Sequence, residues 1–456
     1  MQTVWAGFEF LMGEAMRKSA ISALAVAASL GFFAPAGGAM AADLGGGCCG
    51  DLEERVAELE ATTARKGNRQ VTLTITGQVT KELLVWDDGV RSDAYVTDNA
   101  INTSLFTLNG KAKIADGVTA GYLMQVNVGD SGSNFVTQGK NGDENPAAAP
   151  DISLRTNNLY IESERFGKIA IGQNYSLNDA VHVSALFPIA NTYNTDGTPY
   201  SDSFKIMTSA GGETTLSWSS LVGNGPRRND YVRYDSPAIA GFVLTALAGD
   251  NDVWEVGASY KGKLGDFQIS AAADYFHYDA EPLGAGAFLT KFQETAGILA
   301  VKHAPSGVFV SLWAAKRDYT RENFVAAPTA NGLTFEDTGH SFSAMLGVER
   351  KWLPYGNTTI YGQYGIYKNM AATGLSAASL NLAVNGLSND DYVANSTVRR
   401  LNFGIVQTFD SAGLDVFAMV ERDEADVTVG DVGSNLTSKA SLEDWTGVMV
   451  GSRIKF

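Results

Sequence analysis

The side chains able to do covalent or metal chemistry are few and scattered. Four histidines, His182, His277, His303 and His340, stand without the close spacing that lets imidazoles share a metal. No glycine-rich loop followed by Lys-Ser or Lys-Thr is present to cradle a phosphate. No distinctive frame joins Ser, His and a polar partner for hydrolysis at a lipid surface. The reading is of a protein that is not an enzyme and holds no cofactor. What remains is electrostatic. Between 174 and 226, where periodicity is weak, Asp179, Asp196, Asp202 and Glu213 offer carboxylates, and Lys205 is the base well inside the segment. Elsewhere Lys111, Lys113, Arg233, Arg317 and Arg400 fall on the polar face of alternating segments, and Arg155 lies in one of mixed parity. Carboxylates on one element facing cations on another, across a narrow water-filled gap, make a transverse field that guides a polar solute by charge.

Such a gap needs a wall, and the alternation supplies one. Val71, Leu73, Ile75, Val79, Leu83 and Val85 share one face of an extended segment, while Thr72, Thr74, Thr76, Gln78, Thr80 and Glu82 share the other. Phe106, Leu108, Ala112 and Ile114 oppose Thr107, Asn109, Lys111 and Lys113, and Ala115-Asp116-Gly117 then turns into Val118, Ala120, Tyr122, Met124 and Val126. Strands that are apolar on one side and polar on the other suit a barrel with lipid outside and water within. After the first forty residues no apolar run reaches the ~18 residues of a spanning helix. Lys81 breaks the outer face unless a bulge or a subunit contact accommodates it. Short turns fall near Asp116, Phe166, Pro237, Gly265, Pro305, Pro354 and Ala412; long connections fall near Gly89, Gly142, Thr195, Asn251, Leu283, Pro328, Asn385 and Val429. Seven short and eight long connections imply an all-β fold, a 16-stranded antiparallel transmembrane barrel over 71–456 with both ends on the short-turn side, taken as periplasmic. The connection 174–226 joins two strands of that run and is too long for an ordinary loop, so it is expected to fold inward as a constriction loop.

The beginning of the chain addresses it outward. Met16-Arg17-Lys18, an apolar run over 20–33 and Ala39-Met40-Ala41 read as a signal peptide over 1–41, with 1–15 the product of an upstream start codon. Over 42–70, Leu52, Val56, Leu59 and Thr63 recur at helical spacing among charged residues, giving a short amphipathic helix with coiled-coil character. Cys48 and Cys49 are the two cysteines; adjacent and before the barrel, they form no disulfide scaffold, and three Gly residues at 45–47 replace the apolar position of a lipoprotein signal. Whether the helix forms a trimeric coiled coil or binds the cell wall stays open. The net charge of -16 argues against a nucleic-acid partner. It hints at cation preference, but selectivity belongs to the groups at the neck.

At the other end Val448, Val450, Ile454 and Phe456 share a face, and Phe456 is the last residue given. Trp86, Tyr122, Tyr160, Phe166, Phe242, Tyr260, Phe267, Trp352, Tyr355 and Phe409 fall near strand ends, where aromatic girdles mark membrane interfaces. The acidic runs NGDENP at 141–146 and ERDEADVTVGD at 421–431 read as surface loops able to bind calcium bridging to lipopolysaccharide phosphates.

RTNNLYIESERFGKIAIGQ at 155–173 and the strand-and-turn at 228–242 resemble the paired signatures of Gram-negative trimeric porins, and CCGDLEERVAELEATTARKGNRQVTLTITGQV from Cys48 resembles their alphaproteobacterial branch. The resemblance implies an outer-membrane general porin in which the loop between the fifth and sixth strands narrows a water-filled channel for passive diffusion of small hydrophilic solutes and ions. It also implies a homotrimer, with a loop over 129–152 latching onto a neighbouring subunit, and a terminal Phe456 read by the barrel assembly machinery. Two alternatives are a substrate-specific channel and a plugged barrel that anchors the surface to the cell wall.

Overall fold

The computed structural model describes residues 71–99, 101–129, 131–139, 152–178, 200–222, 228–250, 252–279, 291–320, 337–370, 391–431 and 437–456. The expected signal peptide over 1–41, the expected helix over 42–70, Asp179, Asp196 and the acidic run at 141–146 lie outside them.

The first strands are β1 (Thr72–Asp87), β2 (Ser92–Thr97), β3 (Leu105–Ala115), β4 (Val118–Asn127), β5 (Ser153–Ser163) and β6 (Gly167–Tyr175). Within the long connection lie β7 (Lys205–Met207), β8 (Glu213–Ser217) and a helix α1 (Trp218–Val222). The wall resumes with β9 (Arg228–Asp235), β10 (Phe242–Gly249), β11 (Val253–Leu264), β12 (Phe267–Tyr278), β13 (Lys291–His303) and β14 (Val308–Thr320). It ends with β15 (Thr338–Leu353), β16 (Gly356–Lys368), β17 (Asp391–Phe409), β18 (Leu414–Asp431), β19 (Thr437–Lys439) and β20 (Trp445–Lys455). Eighteen strands share one sheet, and β20 returns to β1 with Gln78 opposite Lys455 and Asp87 opposite Thr446. Two of the eighteen, β2 and β19, are short flaps on the long-loop ends of β1 and β18, which leaves sixteen strands around the closed barrel. A barrel of that size keeps an aqueous interior.

The faces follow the alternation. Ile75 and Val79 on β1, and Leu159, Ile161, Ile169 and Ile171 on β5 and β6, point outward and are exposed, as a lipid-facing surface requires. Thr80, Glu82, Leu84 and Trp86 point inward and are buried. Lys81 keeps its outward position because Asp98 pairs with it at 3.1 Å. Gly117 makes the β3–β4 turn at φ 70°, a left-handed conformation open to glycine. At the chain end Ile454 lies opposite Val79, and Phe456 exchanges backbone hydrogen bonds of 2.9 and 3.0 Å with Gly77. The Phe456 ring lies so close that a Cβ on Gly77 would come within 2.4 Å of it.

Several expectations need correction. Trp86 and Tyr160 belong to no girdle: both face inward and are buried, Trp86 beneath Phe204 at 4.9 Å between ring centroids. Phe166, Phe242, Phe267, Trp352 and Tyr355 are exposed at the short-turn end, and Trp254 stacks on His277 outside the wall toward the other end. The connection at Asn251 is short, because β10 ends at Gly249 and β11 begins at Val253. Val429 lies inside a strand, and the run 421–431 is not a surface loop: β18 continues through it to Asp431, paired to β17 throughout.

Candidate functional site

The described part of the long connection, 200–222, rests on the inner face of the wall and carries its own small core. Phe204 packs between Trp86 and Trp445, with centroid distances of 4.9 and 5.4 Å. Ile206, Leu216, Trp218 and Leu221 are buried in the same cluster. The β7–β8 hairpin pairs Lys205 with Ser217, and α1 follows directly, so the weak periodicity of the sequence conceals two short elements of different period.

Polar moorings hold this excursion to the wall. At its start the backbone amides of Leu177 and Asn178 each donate to Glu255 at 2.6 Å. The Asn178 side-chain amide reaches Asp274 at 3.1 Å and Glu294 at 3.0 Å. Glu294 in turn accepts from Arg317 Nε at 2.7 Å, and the guanidinium lies over the Phe292 ring, 4.3 Å from its centroid. Further along, the Tyr200 amide donates to Glu421 at 2.9 Å and the Ser201 hydroxyl to Asp423 at 2.5 Å. Arg400 sits opposite Asp423 in the β17–β18 register and donates to both its oxygens, at 2.6 and 3.3 Å. Asn99 bridges the Tyr200 hydroxyl at 2.6 Å and Glu82 at 2.9 Å. Burial, then the neighbouring carboxylate Glu82, raises the Tyr200 hydroxyl well above the ordinary phenol range. A buried charge is tolerated when it is paired or hydrogen-bonded: Glu294 and Asp423 pair with arginines, and Glu82, Glu255, Asp274 and Glu421 accept hydrogen bonds from the excursion or from Asn99.

Arg317 and Arg400 face inward, as their parity requires, but both are buried and paired with wall carboxylates. They position the loop instead of lining open water. Arg233 also faces inward and is held by Asp235 of its own strand and by the Tyr175 carbonyl at 2.8 Å. Arg155 is the extra residue of a β-bulge, since Thr156 pairs with Gln125 and Leu154 with Val126; that is the source of its mixed parity. Lys111 and Lys113 are exposed on the inner face near the short-turn mouth, Lys113 paired with Asp116 of the adjoining turn. On the loop, Glu213 is exposed and bridges to Arg91 at 3.0 Å, Asp202 is half-buried with its carbonyl accepting from the Ser219 amide, and Lys205 exchanges backbone bonds with the Gln138 side chain. Among the described residues, an acidic loop facing a basic wall is therefore not assembled. Of the residues that do the holding, Glu255, Asp274 and Glu294 are absent from the sequence reading, and Glu421 and Asp423 are placed by it in a surface loop. For the last two the signal was present: Phe417, Met419, Glu421, Asp423, Val427 and Val429 continue a period of two through the acidic run.

Comparison with solved structures finds OmpT, an outer membrane protein of Vibrio cholerae, at TM-score 0.51 and 13% identity over 86% of this chain and 99% of that one. An anion-selective porin from Comamonas acidovorans reaches 0.50 at 14% identity, over 85% and 100%. Identities this low show a shared fold. Comparison with curated proteins returns no match. The sequence model of the Gram-negative porin family, however, matches residues 22–428, most of the chain. A closed sixteen-strand barrel with an inward loop, carrying that family's sequence pattern, places the chain in the Gram-negative porin family: it is an outer-membrane channel for passive diffusion.

Proposed function

We propose that this channel passes small hydrophilic solutes by sieving at a neck that the moored segment 200–222 helps to build, without catalysis. The observation that carries the reading is the anchoring of that segment at Glu421 and Asp423, which fixes its position against one side of the bore. Single-channel recording tests it: discrete open steps are expected in wild type, with larger steps when 200–222 is replaced by a short Gly-Ser linker. Steps of unchanged size would remove the segment from the neck. A plugged barrel is the second reading, favoured by the apolar packing of Phe204, Trp86 and Trp445, and a silent bilayer would support it.

The channel is further proposed to assemble as a homotrimer through the β1 side. The Lys81–Asp98 pair lies there among the outward side chains Val79, Leu83 and Val85, and a subunit contact would withdraw that charge from lipid. Trimers that persist in unheated gels are expected, and Lys81→Leu should alter their dissociation temperature. Phe456, exposed on the outer face, suits recognition by the assembly machinery, and the exterior suits lipopolysaccharide.

A further inference from the structure

Charge inside the barrel is sorted along its axis. Among the described wall residues, the carboxylates that hold the loop, Glu255, Asp274, Glu294, Glu421 and Asp423, and the nearby Glu82 outnumber the arginines on the same inner face at that level, Arg317 and Arg400. Toward the short-turn mouth the balance reverses. Lys111 lies opposite Thr72, Lys261 opposite Ser270, Lys263 opposite Gln268 and Lys455 opposite Gln78, and these inward lysines are exposed. Lys168, inward between Glu162 and Asp235, covers the Tyr160 ring at 4.2 Å.

Other inward cations of that end are already matched: Lys302 pairs with Glu349, Arg233 with Asp235, Arg453 with Asp415 and Lys113 with Asp116. Asp415 also receives Lys455 at 3.1 Å, so one carboxylate answers two cations. Exposed Glu162 is the remaining inward carboxylate among the described strand residues at that mouth. On the strands of this end the exposed inward charge is therefore predominantly lysine, with the turn carboxylates Asp116, Glu164, Asp266 and Asp410 at its rim, although the chain as a whole carries -16.

Resting on the channel reading, we infer that the short-turn mouth is a lysine-lined vestibule that concentrates small polyvalent anions, phosphorylated or polycarboxylated, and gives the channel anion preference. A water-filled recess lined by one sign of charge within low-dielectric walls focuses its field and enriches the opposite ion. Partly exposed lysines bind by charge without a fixed geometry, which suits passage more than retention. At 14% identity the Comamonas protein's selectivity lends this no support.

The test is planar-bilayer recording at about 0.1 M KCl, where the Debye length is about 10 Å and the charge of the vestibule is only partly screened. Wild type is compared with Lys111→Gln/Lys261→Gln/Lys263→Gln and with the charge-keeping triple arginine variant. The reversal potential in a salt gradient should have the anion-selective sign in wild type and the arginine variant and move toward the cation side in the glutamine variant. Inorganic pyrophosphate added to one chamber should block at lower concentration than from the other, with the preferred half-blocking concentration rising about tenfold in the glutamine variant. Open steps with a reversal potential unmoved by the glutamine changes, or block equal from both chambers, would overturn the vestibule and leave the channel intact. Absence of any open steps would overturn the channel itself.

Discussion

Replacing Arg400 with Met should be among the most damaging single changes inside the bore. The guanidinium is 1% exposed, donates to both Asp423 oxygens at 2.6 and 3.3 Å, and stands 3.9 Å from Glu421. Met fills part of the volume but removes the guanidinium that serves the two buried carboxylates, Asp423 above all. Removing one partner of a buried ion pair costs about 3–5 kcal/mol, most of it from the charge left behind. The same carboxylates accept from the Tyr200 amide and the Ser201 hydroxyl, so the loss should also loosen the loop. Urea unfolding of barrels refolded into lipid, followed by the folded gel band, gives the stability change; single-channel noise gives the loop. Adding Asp423→Asn removes one stranded charge while keeping an acceptor for Ser201, and should recover at least half of the loss. Exposed ion pairs contribute only about 0–1 kcal/mol. A loss below about 1 kcal/mol with quiet open steps would therefore refute a buried mooring.

Other outcomes follow from the same geometry. Glu255→Leu removes the acceptor of the Leu177 and Asn178 amides, and because bonds to charged groups contribute about 1.5–3 kcal/mol each, flickering conductance with reduced stability is expected in bilayers. Gly77→Val drives a side chain into the Phe456 ring, so the heat-modifiable folded band should appear more slowly in assembly assays; an unchanged rate would separate the ring from closure. The Tyr200 hydroxyl is held above its unfolded range by burial, so its contribution is complete below the unfolded pKa of about 10 and declines as pH rises toward the folded value. Stability of wild type should accordingly fall more steeply at alkaline pH than that of Tyr200→Phe.

The wall was legible because each strand carries two solvents on its two faces. Leu159 and Ile161 against Asn158 and Tyr160 reveal orientation without any contact being known, and Phe456 falls on the outer face by the same counting. Parity states which face a residue occupies, but not what covers it. Trp86 obeyed the count and still misled, since an inward tryptophan is acceptable only where another element, here Phe204, keeps water from it. Glu421 and Asp423 misled for the opposite reason. A dense acidic run suggests solvent, yet these alternate residues meet Arg400 and the loop amides, and pairing across a register cannot be seen along one strand. The hairpin and helix over 200–222 were hidden because each spans only a few residues, too short for either period to declare itself.

Why the acidic side chains belong at loop level and the lysines at the mouth follows from what each must do. Holding a loop means accepting hydrogen bonds from amides, hydroxyls and guanidinium groups, and a carboxylate offers two acceptor oxygens where an ammonium offers donors alone. The moorings are consequently carboxylates, and their burial forces them to be matched by Arg317, Arg400 and donors such as Asn178. The ion pairs among them, Arg317 with Glu294 and Arg400 with Asp423, exert little net field on a passing solute. Lysines at the open mouth moor nothing of comparable extent, and much of their charge is directed into water. Net charge counts both populations equally, although paired groups select less than those left facing water. A chain carrying -16 can therefore present a cationic mouth, and the sign that a solute meets is set by which groups are left for water after the loop has been held.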